Sequence, residues 1–151
     1  MTTNKIEDSV GQNFWEQLWQ KNETGWDIGQ ASPAITQYMG QYTNKNKAIL
    51  IPGCGNAHEA EFLVATGFTN ITLIDIAPKA VETLKEKFSD IPQVKILCED
   101  FFEHVGNYDL IIEQTFFSAI PPTRREEYAK KMYSILNPKG KIIGVLFNWR
   151  L

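Results

Sequence analysis

The run Pro52-Gly53-Cys54-Gly55 constrains this chain more than any other stretch. It follows the apolar segment Ala48-Ile49-Leu50-Ile51 and precedes a helical pattern. An acidic residue, Asp75, closes a second apolar run about twenty positions further on. Strand, glycine turn, helix, strand and carboxylate in that order point to a parallel α/β arrangement. Such a turn lets backbone approach a ligand closely at a helix start, while the carboxylate grips a ribose. A nucleoside cofactor is implied before any catalytic residue is found.

The alternation continues along the chain. Segment 48–51 is apolar throughout, as a parallel strand covered on both faces should be. A helix is expected over 57–66 with Ala60, Leu63 and Val64 inward, then a strand over 71–76. A helix over 78–88 carries Val81, Leu84 and Phe88 on one stripe. Strands 94–98 and 108–112 follow. Pro121-Pro122 opens a helix running to about Leu136, with Tyr128, Met132 and Ile135 inward. Asn137-Pro138-Lys139-Gly140 stops it, and a fifth strand runs from Lys141 to Phe147. Upstream, Ser9 and Gln12 form a capping pattern before Phe14, Trp15, Leu18 and Trp19 at helical spacing. Trp26 lies in a polar loop, and Ser32-Pro33 starts a helix with Ile35, Tyr38, Met39 and Tyr42 on its apolar side. With right-handed crossovers this order gives an open, doubly wound, mostly parallel sheet. Its ligand belongs beyond the carboxyl ends of the strands, where the Gly53 turn, Asp75, Asp100 and Glu113 all fall.

A chain of 151 residues suffices for one domain with a real core. Its net charge of -3 disfavours nucleic acid and anionic membranes as partners. No apolar stretch approaches the ~20 residues of a membrane span. Residues 1–9 are polar and lack a signal-peptide core. Two cysteines, Cys54 and Cys98, make neither a disulfide scaffold nor a metal quartet, which suits thiols in a reducing cytoplasm. His58 and His104 lack metal-ligand spacing, and His104 is expected in a surface loop. No metal site is expected.

A dinucleotide fingerprint would need a third glycine, where this chain has His58, and the turn offers no nearby Arg or Lys for a pyrophosphate. S-adenosylmethionine carries no phosphate. It needs close backbone approach to its amino-acid part, a carboxylate for the ribose hydroxyls and a polar edge for adenine. The turn Gly53-Cys54-Gly55 fits the first need and Asp75 the second. Asp100 can accept from the adenine amino group, with Ile76 and Phe101 flanking the ring. Duller readings stay open beside these. Asp75 can cap the helix before Pro78, Asp100 can be a turn residue, and the glycines can simply shape a βα turn.

Several stretches together resemble the thiopurine S-methyltransferase family, which includes plant and microbial halide and thiol methyltransferases. They are Phe14-Trp15-Glu16-Gln17-Leu18-Trp19, Thr24-Gly25-Trp26-Asp27-Ile28-Gly29 and Ile51-Pro52-Gly53-Cys54-Gly55. Leu73-Ile74-Asp75-Ile76, Glu99-Asp100-Phe101-Phe102, Tyr108-Asp109-Leu110-Ile111, the run from Thr115 to Pro121 and Arg124 complete the match. The resemblance implies the S-adenosylmethionine-dependent methyltransferase fold, with a helical lid over about 9–43 and an α/β core over about 47–151 of one domain. It implies that Trp15, Trp19 and Trp26 wall the pocket, that Glu113 lies near the methionine moiety, and that Arg124 stands at the pocket mouth. The Thr-Phe-Phe run is similar to the halide and thiol branch. Two departures stand out. Gln114 replaces a tyrosine common in that branch, and family members usually continue past the fifth strand with two more strands. A shortened chain is therefore expected, with strand five as an apolar edge.

The implied reaction is in-line transfer of a methyl group from the sulfonium to a small thiol, thiopurine or halide, leaving S-adenosylhomocysteine. Soft nucleophiles need positioning and desolvation more than a strong base. Aromatic faces such as those of Trp15, Trp19 and Trp26 suit the sulfonium cation. The competing expectation is a non-catalytic remnant that binds the cofactor and transfers nothing. The sequence leaves the acceptor and the oligomeric state open.

Overall fold

The computed structural model describes residues 31–54, 57–114 and 116–145. The expected helix around Trp15 and Trp19, the Trp26 loop and Gly55 lie outside the described residues. The elements are α1 (Pro33–Met39), β1 (Ile49–Pro52), α2 (His58–Ala65), β2 (Ile71–Asp75), α3 (Pro78–Lys87) and β3 (Val94–Cys98). A 3-10 turn (Phe101–Glu103) leads to β4 (Tyr108–Gln114), then α4 (Phe116–Ala119), a second 3-10 turn (Pro122–Arg124), α5 (Arg125–Ile135) and β5 (Leu136–Val145).

The five strands form one parallel sheet in the order β3-β2-β1-β4-β5. β1 and β2 are buried at every position, which is why their sequences are continuously apolar rather than alternating. Ile49, Ile51, Ile71, Leu73, Leu110 and Ile112 pack on one face with Ile35 and Met39 of α1, Ala60 and Leu63 of α2, and Leu84 of α3. Leu50, Ile74 and Ile111 face the other way, against Phe101, Tyr108 and the Met132 and Ile135 stripe of α5. The chain builds outward from β1 in one direction through β2 and β3, then crosses to β4 and β5. The reversal falls between the carboxyl ends of β1 and β4, the position where open α/β sheets bind ligands.

The expected βα alternation is present, with local differences. β4 runs two residues past Ile112, because Glu113 and Gln114 continue the ladder with Gly144 and Val145. The Pro121-Pro122 start is a 3-10 turn before α5 proper. The stretch expected only to stop that helix is already part of the fifth strand. Leu136 pairs with Tyr108, and regular pairing resumes at Lys141 opposite Leu110. The extra residues between form an irregularity in which Lys139 takes φ 67°. Val64, expected inward, is half-buried, and Ser32 caps nothing with its hydroxyl. Its backbone N–H instead donates to the buried Glu59 carboxylate at 2.8 Å, tying the start of α1 to the start of α2.

Candidate functional site

The glycine turn is built as the sequence requires. Gly53 has φ +57°, a conformation glycine adopts without the penalty of a side chain. A Cβ there would lie 2.5 Å from the Phe116 ring, so a side chain would overlap it. The Gly53 N–H donates to the Ile74 carbonyl at 2.9 Å, which stitches the turn to the end of β2 one residue before Asp75. The Cys54 carbonyl accepts from the Ala57 N–H at 2.8 Å and delivers the chain into α2. Burial pushes the Cys54 thiol well up, and the Asp75 charge pushes the same way. The turn and Asp75 thus share one neighbourhood, and the thiol stays protonated at neutral pH.

Asp75 is buried, and its Oδ1 accepts from the Ala77 N–H at 3.0 Å, setting up α3. Ala77 is the N-cap of that helix, so Asp75 shapes the turn into it rather than capping it. The ladder carries on past β2: the Glu99 N–H donates to the Asp75 carbonyl at 3.1 Å. Asp100 follows, with Oδ1 accepting from the Phe102 N–H at 2.9 Å to cap the 3-10 turn. Ile76 is half-buried beside this rim.

Phe101, the expected flank for the adenine ring, starts this 3-10 turn. It is 5% exposed and packs edge-on against Phe102 and Phe116, with centroids 5.5 and 5.1 Å apart. Tyr128 closes this cluster against Phe101, Phe116 and Phe117. The reason is geometric: residue 101 begins a tight turn over the sheet face that holds Leu50, Ile74 and Ile111.

Glu113 at the end of β4 is buried and has both carboxyl oxygens engaged. Oε1 accepts from the Tyr128 hydroxyl at 2.7 Å, and Oε2 accepts from the Phe117 N–H at 3.1 Å. Burial and the adjacent Glu113 push the Tyr128 hydroxyl far above its ordinary value, so it remains a donor. Gly144 of β5 makes room for this carboxylate, since a Cβ there would sit 2.8 Å from Glu113 Cγ. Arg124 lays its guanidinium 3.9 Å from the centre of the Phe102 ring and pairs with Glu127 at 3.2 Å.

The structure therefore gathers Gly53, Cys54, Asp75, Ile76 and Asp100 along the carboxyl ends of β1, β2 and β3, with Glu113 at the end of β4. Phe101 and Arg124 join through the aromatic cluster. Trp15, Trp19, Trp26 and Gly55 lie outside the described residues. Sequence reasoning missed the pairing of Tyr128 with Glu113, the contact of Phe116 with Gly53, and the buried state of Glu59. The only advance signal for Glu59 is a carboxylate among the apolar positions of α2. His104 needs a correction as well. It is not in a surface loop but 4% exposed, bonded at both ring nitrogens. Among the described residues no group of three or more His, Cys, Asp or Glu is arranged to hold a metal ion. No helix among them is long and apolar enough to cross a membrane.

The arrangement suits an adenosyl group on the chain's own geometry. The Gly53 turn, Asp75 and Asp100 stand at the ends of neighbouring strands, and Asp100 keeps one oxygen without a hydrogen-bond partner among the described residues.

Comparison with known proteins agrees. The family model described as "Thiopurine S-methyltransferase (TPMT)" matches residues 10–148. A probable thiol methyltransferase 2 of Arabidopsis thaliana is 35% identical over 138 residues, covering 88% of this chain and 61% of that protein. Thiocyanate methyltransferase 1 of Brassica oleracea is 31% identical, covering 94% and 65%. A thiopurine S-methyltransferase of Vibrio campbellii is 28% identical, covering 91% and 71%. The chain thus spans less than two thirds of the length of the two plant relatives. Among solved structures, one described as "Conversion of a Disulfide Bond into a Thioacetal Group during Echinomycin Biosynthesis" aligns with TM-score 0.75 at 18% identity, over 87% of this chain and 60% of its own. Magnesium protoporphyrin IX methyltransferase from Synechocystis, with bound S-adenosylmethionine, aligns with TM-score 0.65 at 15% identity, over 89% and 71%. These likenesses establish the Rossmann-like methyltransferase fold.

Proposed function

This chain belongs to the thiopurine S-methyltransferase family, and from that membership we propose that it moves a methyl group from S-adenosylmethionine to a small soft nucleophile. The observation that carries the proposal is the convergence of the Gly53 turn and Asp75, joined by the Gly53 N–H to Ile74 hydrogen bond. When bound, the cofactor supplies an electrophilic methyl group on a sulfonium. Asp75 accepts from the ribose hydroxyls, Asp100 from the adenine amino group, and the Gly53-Cys54-Gly55 turn receives the amino-acid part. Glu113 has both oxygens committed to Tyr128 and Phe117, so its work is to hold the wall of the site. Cys54, half-buried and with its thiol pushed up by its surroundings, is no nucleophile. The chain's contribution is then positioning and exclusion of water, which suits a thiol, thiopurine or halide acceptor. The names of the thiol and thiocyanate methyltransferase relatives favour that class of acceptor. Trp15, Trp19 and Trp26, within a cover over about 9–43, and Arg124 at the mouth complete the pocket on the family resemblance. A cytoplasmic setting suits a chain whose Cys54 and Cys98 form no disulfide.

Calorimetry with S-adenosylhomocysteine tests the site. Asp75→Ala should weaken binding by about a hundredfold, as loss of a charged acceptor for two hydroxyls implies. Unchanged affinity removes Asp75 from the site. Incubation with labelled S-adenosylmethionine and a panel of thiols, thiopurines and halides tests the transfer. Binding without label on any acceptor would favour a cofactor-binding remnant.

A further inference from the structure

The geometry points to His104 as a positioning residue: clamped between Glu99 and Tyr108, it fixes Asp100 where that carboxylate can read an adenine amino group. The inference rests on the adenosyl-cofactor reading above. It starts from a buried imidazole that no step of that reading uses.

Nδ1 of His104 lies 2.8 Å from Glu99 Oε1, and Nε2 lies 2.8 Å from the Tyr108 hydroxyl. A carboxylate only accepts, so Nδ1 carries a proton and donates to Glu99. Nε2 shares a hydrogen bond with the Tyr108 hydroxyl, which can accept or donate as the ring's proton count requires. The imidazole also stacks on Tyr108, with centroids 5.7 Å apart and 27° between planes. Lys131 of α5 donates to the His104 carbonyl at 2.9 Å. Gly106 leaves the space: a Cβ there would lie 2.9 Å from the Tyr108 ring and 3.2 Å from Nε2.

A side chain that only filled this space would be apolar, because an imidazole gives up hydration on burial. Two polar partners at fixed distances supply direction instead. The Glu99 contact bonds residue 99 to residue 104, so the backbone between them is a closed ring. Asp100 and Phe101 lie inside that ring. Its base is anchored, because the Glu99 N–H donates to the Asp75 carbonyl at 3.1 Å. Its far end is anchored through His104 to β4 and α5. Asp100 is thereby held in register with Asp75, the carboxylate assigned to the ribose. One Asp100 oxygen caps the Phe102 N–H, and the other has no partner among the described residues.

The test compares two nucleosides. S-adenosylhomocysteine carries the exocyclic amine, and S-inosylhomocysteine carries a carbonyl in its place. Calorimetric affinities for both are measured on wild type, His104→Phe, His104→Gln and Tyr108→Phe. Wild type should prefer the adenine form by about tenfold or more. His104→Phe should lose about tenfold in affinity for the adenine form and most of the preference. His104→Gln, which can donate and accept, should restore part of both. Tyr108→Phe removes only a hydroxyl and should fall between, so it carries the test if His104→Phe does not fold by circular dichroism. Folded variants that keep the wild-type ratio of the two affinities, or lose both affinities equally, overturn the assignment. Wild type binding neither nucleoside overturns the cofactor reading itself, a result distinct from an unchanged ratio.

Discussion

Asp109 shows how one side chain can join β4 and β5 to the residue that leads into β1. Its Oδ2 accepts from the Ala48 N–H at 2.9 Å, and its Oδ1 accepts from the Asn137 side-chain amide at 3.0 Å. Asn137, then the Ala48 N–H, holds the carboxyl below the usual carboxylate range. The folded pKa lies below the unfolded one. The stabilisation is therefore complete above the unfolded value and is lost as pH falls through the folded one. Asp109→Asn should cost about 1–2 kcal/mol at neutral pH. Urea unfolding at pH 7 and again near pH 3 should show the variant and wild type converging on the acid side. A gap of equal size at both pH values would deny the carboxylate this role. Residues of this kind divide by what makes them visible in a sequence. Gly53 and Asp75 could be read because backbone geometry and strand ends assign them a place. His104 and Glu59 could not, because nothing in their flanking residues reports burial. The partners that satisfy them are fixed only when the chain is packed.

Among the elements, β5 is the most demanding. Its Gly144 lies against β4 so closely that a Cβ would be 2.7 Å from the Glu113 carbonyl oxygen. Backbone cannot yield as a flexible side chain can. Gly144→Ala should therefore cost about 1–3 kcal/mol and lower the thermal midpoint. An unchanged midpoint would mean the two strands separate easily. The strands themselves were legible, because burial on both faces leaves unbroken apolar runs in β1 and β2. The entry to β5 was not. Asn137-Pro138-Lys139-Gly140 carries every local mark of a helix stop, and it is one. The ladder nonetheless begins at Leu136, before the stop, through a pairing with Tyr108 that no local pattern encodes.

Over the whole molecule, α1 packs on α2 and β5 and is secured by the Ser32 N–H to Glu59. Glu59→Leu removes the acceptor. Hydrogen exchange of the amides in 33–39 should then accelerate about tenfold while those of β1 and β4 keep their protection. Uniform acceleration, or none, would show that the link does not hold α1 in place. The sheet order has a further consequence, in the time domain. β1 is the central strand, and Ile49 of β1 faces Ile71 on one side and Leu110 on the other. The second partner is translated long after the first, about 2–8 s later at cellular elongation speeds. During that interval a nascent polypeptide carries a half-built sheet whose middle strand lacks one neighbour. Chaperone capture on the ribosome should therefore peak between the emergence of β2 and that of β4.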